Sequence, residues 1–262
     1  MRLGLFDSGL GGLKIAISLF EALPDYDYIY LADAANAPYG HKTPEELFTL
    51  VKAGVLWLLA NDCELVILAC NTASAEALRR LQQEVLPSYP GRKILGVIVP
   101  TLEAMANQTH QKVGLLATEA TVKSQAYAKE IAKLYPEVQF EQWAAPELAS
   151  LIDEGAEQAV IDQALTELLR PIIASHLDQL ILGCTHYTWV KSEIRQRVGP
   201  SVNVISQDEL MASSLKKYLK QHQELANRLD RNGQRWFYTT GVLPKLELSR
   251  ADWKWQAVTL NK

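Results

Sequence analysis

Hydrophobic positions along this chain keep two alternating rhythms. Short, β-rich apolar runs are followed by longer stretches in which apolar residues recur with helical period, the pattern of an α/β protein with mostly parallel sheets. Strands are predicted at "RLGLF" (2–6), "YDYIYLA" (26–32), "ELVILA" (64–69), "KILGVIV" (93–99), "KVGLLA" (112–117), "VQFEQW" (138–143), "QLILG" (179–183), "VNVIS" (202–206) and "RWFYTT" (235–240). The segment "TPEELFTLVKAGVLWLLA" (43–60) opens with a Thr cap, a Pro in the first turn and two acids, which marks a helix start. Further helices are expected through 73–86, 121–134, 157–174 and 208–228.

The pattern also suggests a pair of related halves. "GLFDSGLGG" (4–12) and "GLLATEAT" (114–121) each follow a strand with small and polar residues that could begin a helix. Each half then carries a cysteine strand, "ELVILACNTAS" in the first and "DQLILGCTHYT" in the second. The two cysteines stand roughly one small domain apart in sequence. A cleft between two similar units is the natural place for a ligand.

Composition narrows the setting. With 262 residues the chain can bury a full core, and 48% hydrophobic with 21% charged residues is ordinary for a globular protein. A formal charge of −4 offers no basic surplus for nucleic acid or anionic lipid. Three cysteines without a Cys-x-x-Cys pair argue against a disulfide framework and for a reducing cytosol. The N-terminus does not read as a signal peptide, and no segment approaches the roughly 20 apolar residues that span a bilayer. A cytoplasmic protein is expected. The apolar stretch "FTLVKAGVLWLLA" (48–60) suits either a core or a homodimer surface.

Chemistry concentrates after the strands. A free cysteine is most often a small buried hydrophobe, and Cys63 in "NDCEL" is read that way. Cys70 and Cys184 differ, because each stands at the carboxyl end of an apolar strand just before a helix. Ligands bind at that edge in parallel sheets, and a helix N-terminus favours a thiolate. Asn71, Thr72 and Thr185 could cap those helices or hold a carboxylate beside exposed N–H groups. His186 lacks the companions a structural zinc would need but could relay the proton of Cys184. In "FDSGLGGLK" (6–14) the glycine spacing is neither a dinucleotide fingerprint nor a P-loop. Asp7 and Ser8 would face the same cleft as Cys70, with Gly9, Gly11 and Gly12 allowing the backbone close to a small ligand. "NAPYG" (36–40) is either a plain proline turn or a second rim segment carrying Tyr39 and Gly40.

Taken in order, "FDSGLGGL", "PYG", "ACNTAS", "LGCTHY" and "TTG" (239–241) resemble the glutamate racemases, cofactor-independent members of the aspartate/glutamate racemase superfamily. The resemblance implies two similar α/β domains with the active site in the cleft between them. The first would comprise residues 1–96 plus 207–262 and the second 97–206. It further implies a cofactor-independent enzyme that interconverts L- and D-glutamate and supplies D-glutamate for bacterial peptidoglycan. Cys70 and Cys184 match the two cysteines that flank the substrate α-carbon, Cys70 acting on the D-isomer and Cys184 on the L-isomer. Asp7 and His186 match residues that assist those thiols. Asp7, Ser8, Tyr39, Gly40, Asn71, Thr72, Thr185 and His186 match substrate-contacting positions, and Thr118 and Thr121 fall where further contacts are expected. Three positions depart from the common pattern: Asp153 where Glu is frequent, Lys14 where Thr is usual, and Ser206 where Asp is usual.

Two opposed thiols suit racemisation, since a proton must leave one face of a carbon and return on the other. The alternatives are a racemase of aspartate or another acidic amino acid, and a non-catalytic amino-acid-binding relative. A pyridoxal phosphate enzyme would need a Schiff-base lysine and a phosphate loop, and no stretch declares either. A cysteine peptidase would need a third group orienting His186.

Overall fold

In the computed structural model, which describes residues 1–105, 112–242 and 254–261, ten strands form two wholly parallel sheets. The larger contains β1 (Arg2–Asp7), β2 (Tyr28–Ala32), β3 (Cys63–Leu68), β4 (Lys93–Gly96), β9 (Arg235–Thr239) and β10 (Trp255–Ala257) in the order β10-β9-β2-β1-β3-β4. The smaller contains β5 (Lys112–Ala117), β6 (Gln139–Ala144), β7 (Gln179–Gly183) and β8 (Asn203–Ile205) in the order β6-β5-β7-β8. The central strands β1, β2, β3 and β7 are buried almost throughout, which explains why they read as continuous apolar runs. Helices cover both faces of each sheet, and each sheet has a hydrophobic cluster on either side.

The suspected repeat is visible as topology. β2-β1-β3-β4 and β6-β5-β7-β8 share one strand order and one direction. Each cysteine strand, β3 or β7, lies beside the first strand of its set. In both sets the order reverses between those two strands, where parallel sheets bind ligands at their carboxyl edges. Beyond β2 the larger sheet gains β9 and β10 from the end of the chain.

The chain crosses between the sheets twice. It leaves the large sheet after β4 and returns through the helix Gln207–Gln221, whose Met211, Leu215 and Leu219 join the core around Leu13, Ile15 and Leu19. Of the expected domain spans, residues 106–111, 243–253 and 262 lie outside the described residues. Among the described residues no helix is long and apolar enough to cross a membrane.

Several expected elements change in extent. The strand expected to 99 ends at Gly96, and a helix, Ile98–Glu103, begins instead. Gly96 lies against Ser74 and Leu78, so that a Cβ there would come within 2.9 Å of both side chains. Val97 N–H turns to Ser74 Oγ (3.3 Å) rather than continuing the ladder, overriding the β-branched run 97–99. The helix expected at 121–134 breaks at Gln125, which adopts φ 57°, into Glu119–Ser124 and Ala126–Leu134. The one expected at 208–228 ends at Gln221, with a short turn of helix at Gln223–Ala226. Residues 48–60 belong to the helix Pro44–Ala60, whose Leu47, Phe48, Val51, Val55 and Leu58 pack into the chain's own core. Its Thr43 and Glu46 form a complete capping box.

Candidate active site

The carboxyl ends of β1, β3, β5 and β7 converge on one small cavity of about 20 Å³, enough for one or two water molecules. Ser8, Tyr39, Gly40, Cys70, Asn71, Thr72, Thr118, Asp153, Cys184, Thr185 and His186 line it. Cys70 caps the helix Asn71–Arg80, and Cys184 caps the 3₁₀ turn Thr185–Val190 that runs into the helix Lys191–Val198. The two sulfurs therefore enter one space from equivalent positions of the two sheets. Both cysteines are nearly closed to solvent, at 5% and 6% exposure.

Two of the expected residues stand behind this wall. Asp7, fully buried, accepts hydrogen bonds from the N–H groups of Gly9 (3.1 Å) and Gly12 (3.0 Å) and from Thr185 Oγ1 (3.4 Å). Thr121 joins Thr72 and Thr118 in a cluster of hydroxyls spaced 2.9–3.2 Å apart. That cluster spans the seam, since Thr72 follows β3 and Thr118 follows β5. Gly40 also ties the seam by accepting from Ala120 N–H at 3.0 Å.

The electrostatics of the site are set by burial. Desolvation raises the Asp7 carboxyl to about 6, against the pull of a charged His186 and of the Gly12 and Gly9 amides. Desolvation, followed by the Asp7 charge, pushes the Cys70 thiol up to about 12, while the Ala73 amide and the Ser8 hydroxyl favour its thiolate. At His186 burial favours the neutral ring, but Asp153 and Cys184 together outweigh it and hold the imidazole well above its ordinary value. Cys184 Sγ lies 3.7 Å from His186 Nδ1. Asp153 Oδ1 lies 2.9 Å from His186 Nε2, an ion-pair contact rather than an aligned hydrogen bond.

The glycines of "SGLGG" admit a close approach of side chains. A Cβ on Gly11 would come within 2.5 Å of Thr185 Oγ1 and 2.8 Å of His186 Nδ1, and one on Gly12 within 2.9 Å of Asp7. The bare backbone at Gly11 lets side chains that follow β7 close against the loop after β1. Lys14 reaches the same seam, donating to the Thr188 carbonyl (3.0 Å) and lying over the Trp189 ring (4.6 Å). Ser206 hydrogen-bonds Asp208.

Other site residues escaped sequence reasoning. His41, Pro146 and Ala149 also line the cavity. Asp33, buried at the end of β2, accepts from Tyr39 OH (2.6 Å), Thr240 Oγ1 (2.7 Å) and Asn36 Nδ2 (2.8 Å), which fixes the 36–40 turn and gives "TTG" its place. The strand-end rule applied to the cysteines would have found it. Among the described residues, no group of three or more His, Cys, Asp or Glu side chains is arranged to hold a metal ion.

The family model of the Asp/Glu/Hydantoin racemases matches residues 14–214. This chain belongs to that family. Within it, a glutamate racemase of Phenylobacterium zucineum is 42% identical over 263 residues, covering 92% of each chain. Among solved structures, the glutamate racemase of Francisella tularensis in complex with D-glutamate superposes with a TM-score of 0.85 at 29% identity, covering 98% of this chain and 97% of that one. The Escherichia coli glutamate racemase in complex with L-glutamate and the activator UDP-MurNAc-ala gives 0.78 at 26% identity, over 100% of this chain and 99% of that one. Both sheets are thus features of the family fold.

Proposed function

We propose that the chain interconverts L- and D-glutamate by proton transfer at the α-carbon, with Cys70 and Cys184 as the two bases. The observation that carries this reading is the convergence of two cysteines, from equivalent positions of two equivalent strand sets, on one buried cavity. Full-length relatives acting on glutamate support the choice of substrate.

In this mechanism the thiolate of one cysteine takes the α-proton and the thiol of the other delivers a proton to the opposite face. Cys184 acts on the L-isomer, and His186, held protonated between Asp153 and Cys184, balances its thiolate. Cys70, whose thiol is favoured at rest, is the donor in that direction. In reverse, Ser8 and the Ala73 amide support the Cys70 thiolate. Hydroxyls of Thr72, Thr118 and Thr185, the Asn71 amide and the 39–40 backbone supply donors for the substrate carboxylates, with Thr121 bracing Thr72 and Thr118 from behind. The hydroxyl and backbone donors also stabilise the carbanion-like state in a site from which water is excluded.

The cavity as it stands is too small for an amino acid, so glutamate enters by parting of the two walls along their seam. Residues 1–96 with 207–262 would form one domain and 97–206 the other. The cellular role is provision of D-glutamate for peptidoglycan by a cytoplasmic enzyme.

The test is racemisation in D₂O by the purified protein with no added cofactor, offering glutamate and aspartate side by side. Glutamate should turn over, with deuterium at the α-carbon of the initial product and none in the remaining substrate. Turnover of aspartate alone would reassign the substrate, and binding without exchange would make the chain a sensor.

A further inference from the structure

Asn71 carries an amide satisfied at one end and open at the other. Its Oδ1 accepts from Tyr127 OH at 2.6 Å and from Gln207 Nε2 at 3.4 Å. Its Nδ2 is buried and has no hydrogen-bond partner among the described residues, and Asn71 lines the cavity. Gln207 Nε2 also lies 3.4 Å from Tyr127 OH, so the three polar groups close a triangle. All three residues are buried.

The three come from separate parts of the chain. Asn71 opens the helix after Cys70, and Gln207 opens the helix that returns to the large sheet. Tyr127 stands on the helix Ala126–Leu134, its ring in the core of the small sheet with Ile98, Leu102 and Ile131. Burial raises the Tyr127 hydroxyl further above its ordinary value, so it remains an O–H donor across the working pH range.

The two ends of an asparagine amide have nearly the same shape, so packing does not decide which one faces the cavity; hydrogen bonding does. A substrate carboxylate is stabilised by Nδ2–H and repelled by Oδ1. We infer that Tyr127 and Gln207 are positioning residues that hold Asn71 Oδ1 away from the cavity and so present Nδ2–H to a carboxylate of the substrate. They act from behind Asn71 and touch no reacting atom. The inference rests on the reading of the cavity as a glutamate site and deepens it, because substrate recognition by one unit is then set by a hydroxyl belonging to the other.

The test exploits the ring of Tyr127, which phenylalanine would replace without opening a void. Wild type, Tyr127→Phe, Asn71→Ala and the double variant are compared by steady-state racemisation and by calorimetric titration with D-glutamate. Tyr127→Phe should raise KM and Kd about tenfold while kcat stays within about threefold, the signature of lost uniform binding. In the Asn71→Ala background the same change should add nothing further, since the hydroxyl acts through that amide. Unchanged KM and Kd in Tyr127→Phe would overturn the inference. So would an equal rise with and without Asn71, or a fall in kcat alone, which marks general disturbance of the site. A wild-type protein that binds glutamate without racemising it would sink the catalytic reading while the titrations still decide the orientation of Asn71. One that neither binds nor racemises it removes both.

Discussion

Asp153 reaches His186: its Oδ1 lies 2.9 Å from Nε2 of the imidazole. The resemblance leads to an expectation of the longer Glu at this point, yet the shorter acid spans the gap from the end of the helix Leu148–Asp153. His186 is thereby held between a carboxylate on one nitrogen and the Cys184 sulfur on the other.

Removing that carboxylate should cost proton transfer and shift its pH dependence. Burial opposes the charged ring, but Asp153 and Cys184 raise His186 well above its ordinary value. The imidazolium thus persists at neutral pH and is lost only as pH climbs through the raised value. Its stabilising effect on the fold has the same sense, complete below about 6.5 and vanishing as pH rises through the folded-state value. Asp153→Asn should lower kcat by about 100-fold and move the alkaline limb of the pH–rate profile to lower pH. Profiles of kcat from pH 6 to 10 check it, and an unmoved limb would show that Asp153 does not support the ring.

Asp7 changes stability in the same sense over a lower pH window. Its carboxyl, raised from 3.8 to about 6 chiefly by burial, keeps its proton in the folded protein where the unfolded chain has already lost it. Stability therefore falls as pH rises from about 4 to about 6, by up to about 3 kcal/mol. Asp7→Asn removes that dependence. Denaturant unfolding of both proteins should show the variant gaining on the wild type between pH 4 and pH 7, whereas a constant difference would mean Asp7 is not held protonated.

Gly11 is a steric requirement of the seam. A methyl group at this position must displace Thr185 and His186, since its carbon would come within 2.5 Å of one side chain and 2.8 Å of the other. Gly11→Ala should reduce kcat/KM by about 100-fold, as displacement of positioned groups by an ångström does. Far-UV circular dichroism should remain that of the wild type. Full activity in Gly11→Ala would show that His186 need not stand where it does.

The capping box at Thr43 offers a control away from the site. Thr43→Ala should lower unfolding free energy by about 1 kcal/mol and leave racemisation untouched. Thermal melts and activity assays of the same preparation check both halves.

The parts of this fold legible in the sequence are those whose local pattern and tertiary setting agree. β1, β2, β3 and β7 are buried on both faces, so their apolar runs are continuous, and the helix Pro44–Ala60 carries its start signals in plain view. Residues 97–99 looked extended because they are β-branched, but close packing at Gly96 directs the chain into a helix. The helix Leu13–Ala22 showed only as a possible start after the glycines, and β10, three residues long, takes its identity from pairing with β9. Within the site, Cys70 and Cys184 were readable from their place at strand ends. Tyr127 and Gln207 were not, because each meets Asn71 only in the folded chain, Tyr127 from beyond the seam, and no spacing in the sequence encodes those contacts.

The most direct measurement is of glutamate turnover in both directions by Cys70→Ala and Cys184→Ala, each assayed singly with its fold verified by circular dichroism. If one carbon is served by two sulfurs from opposite sides, each variant should lose racemisation of L- and of D-glutamate alike. A variant that kept the wild-type rate in either direction would contradict the assignment of two bases to this cavity.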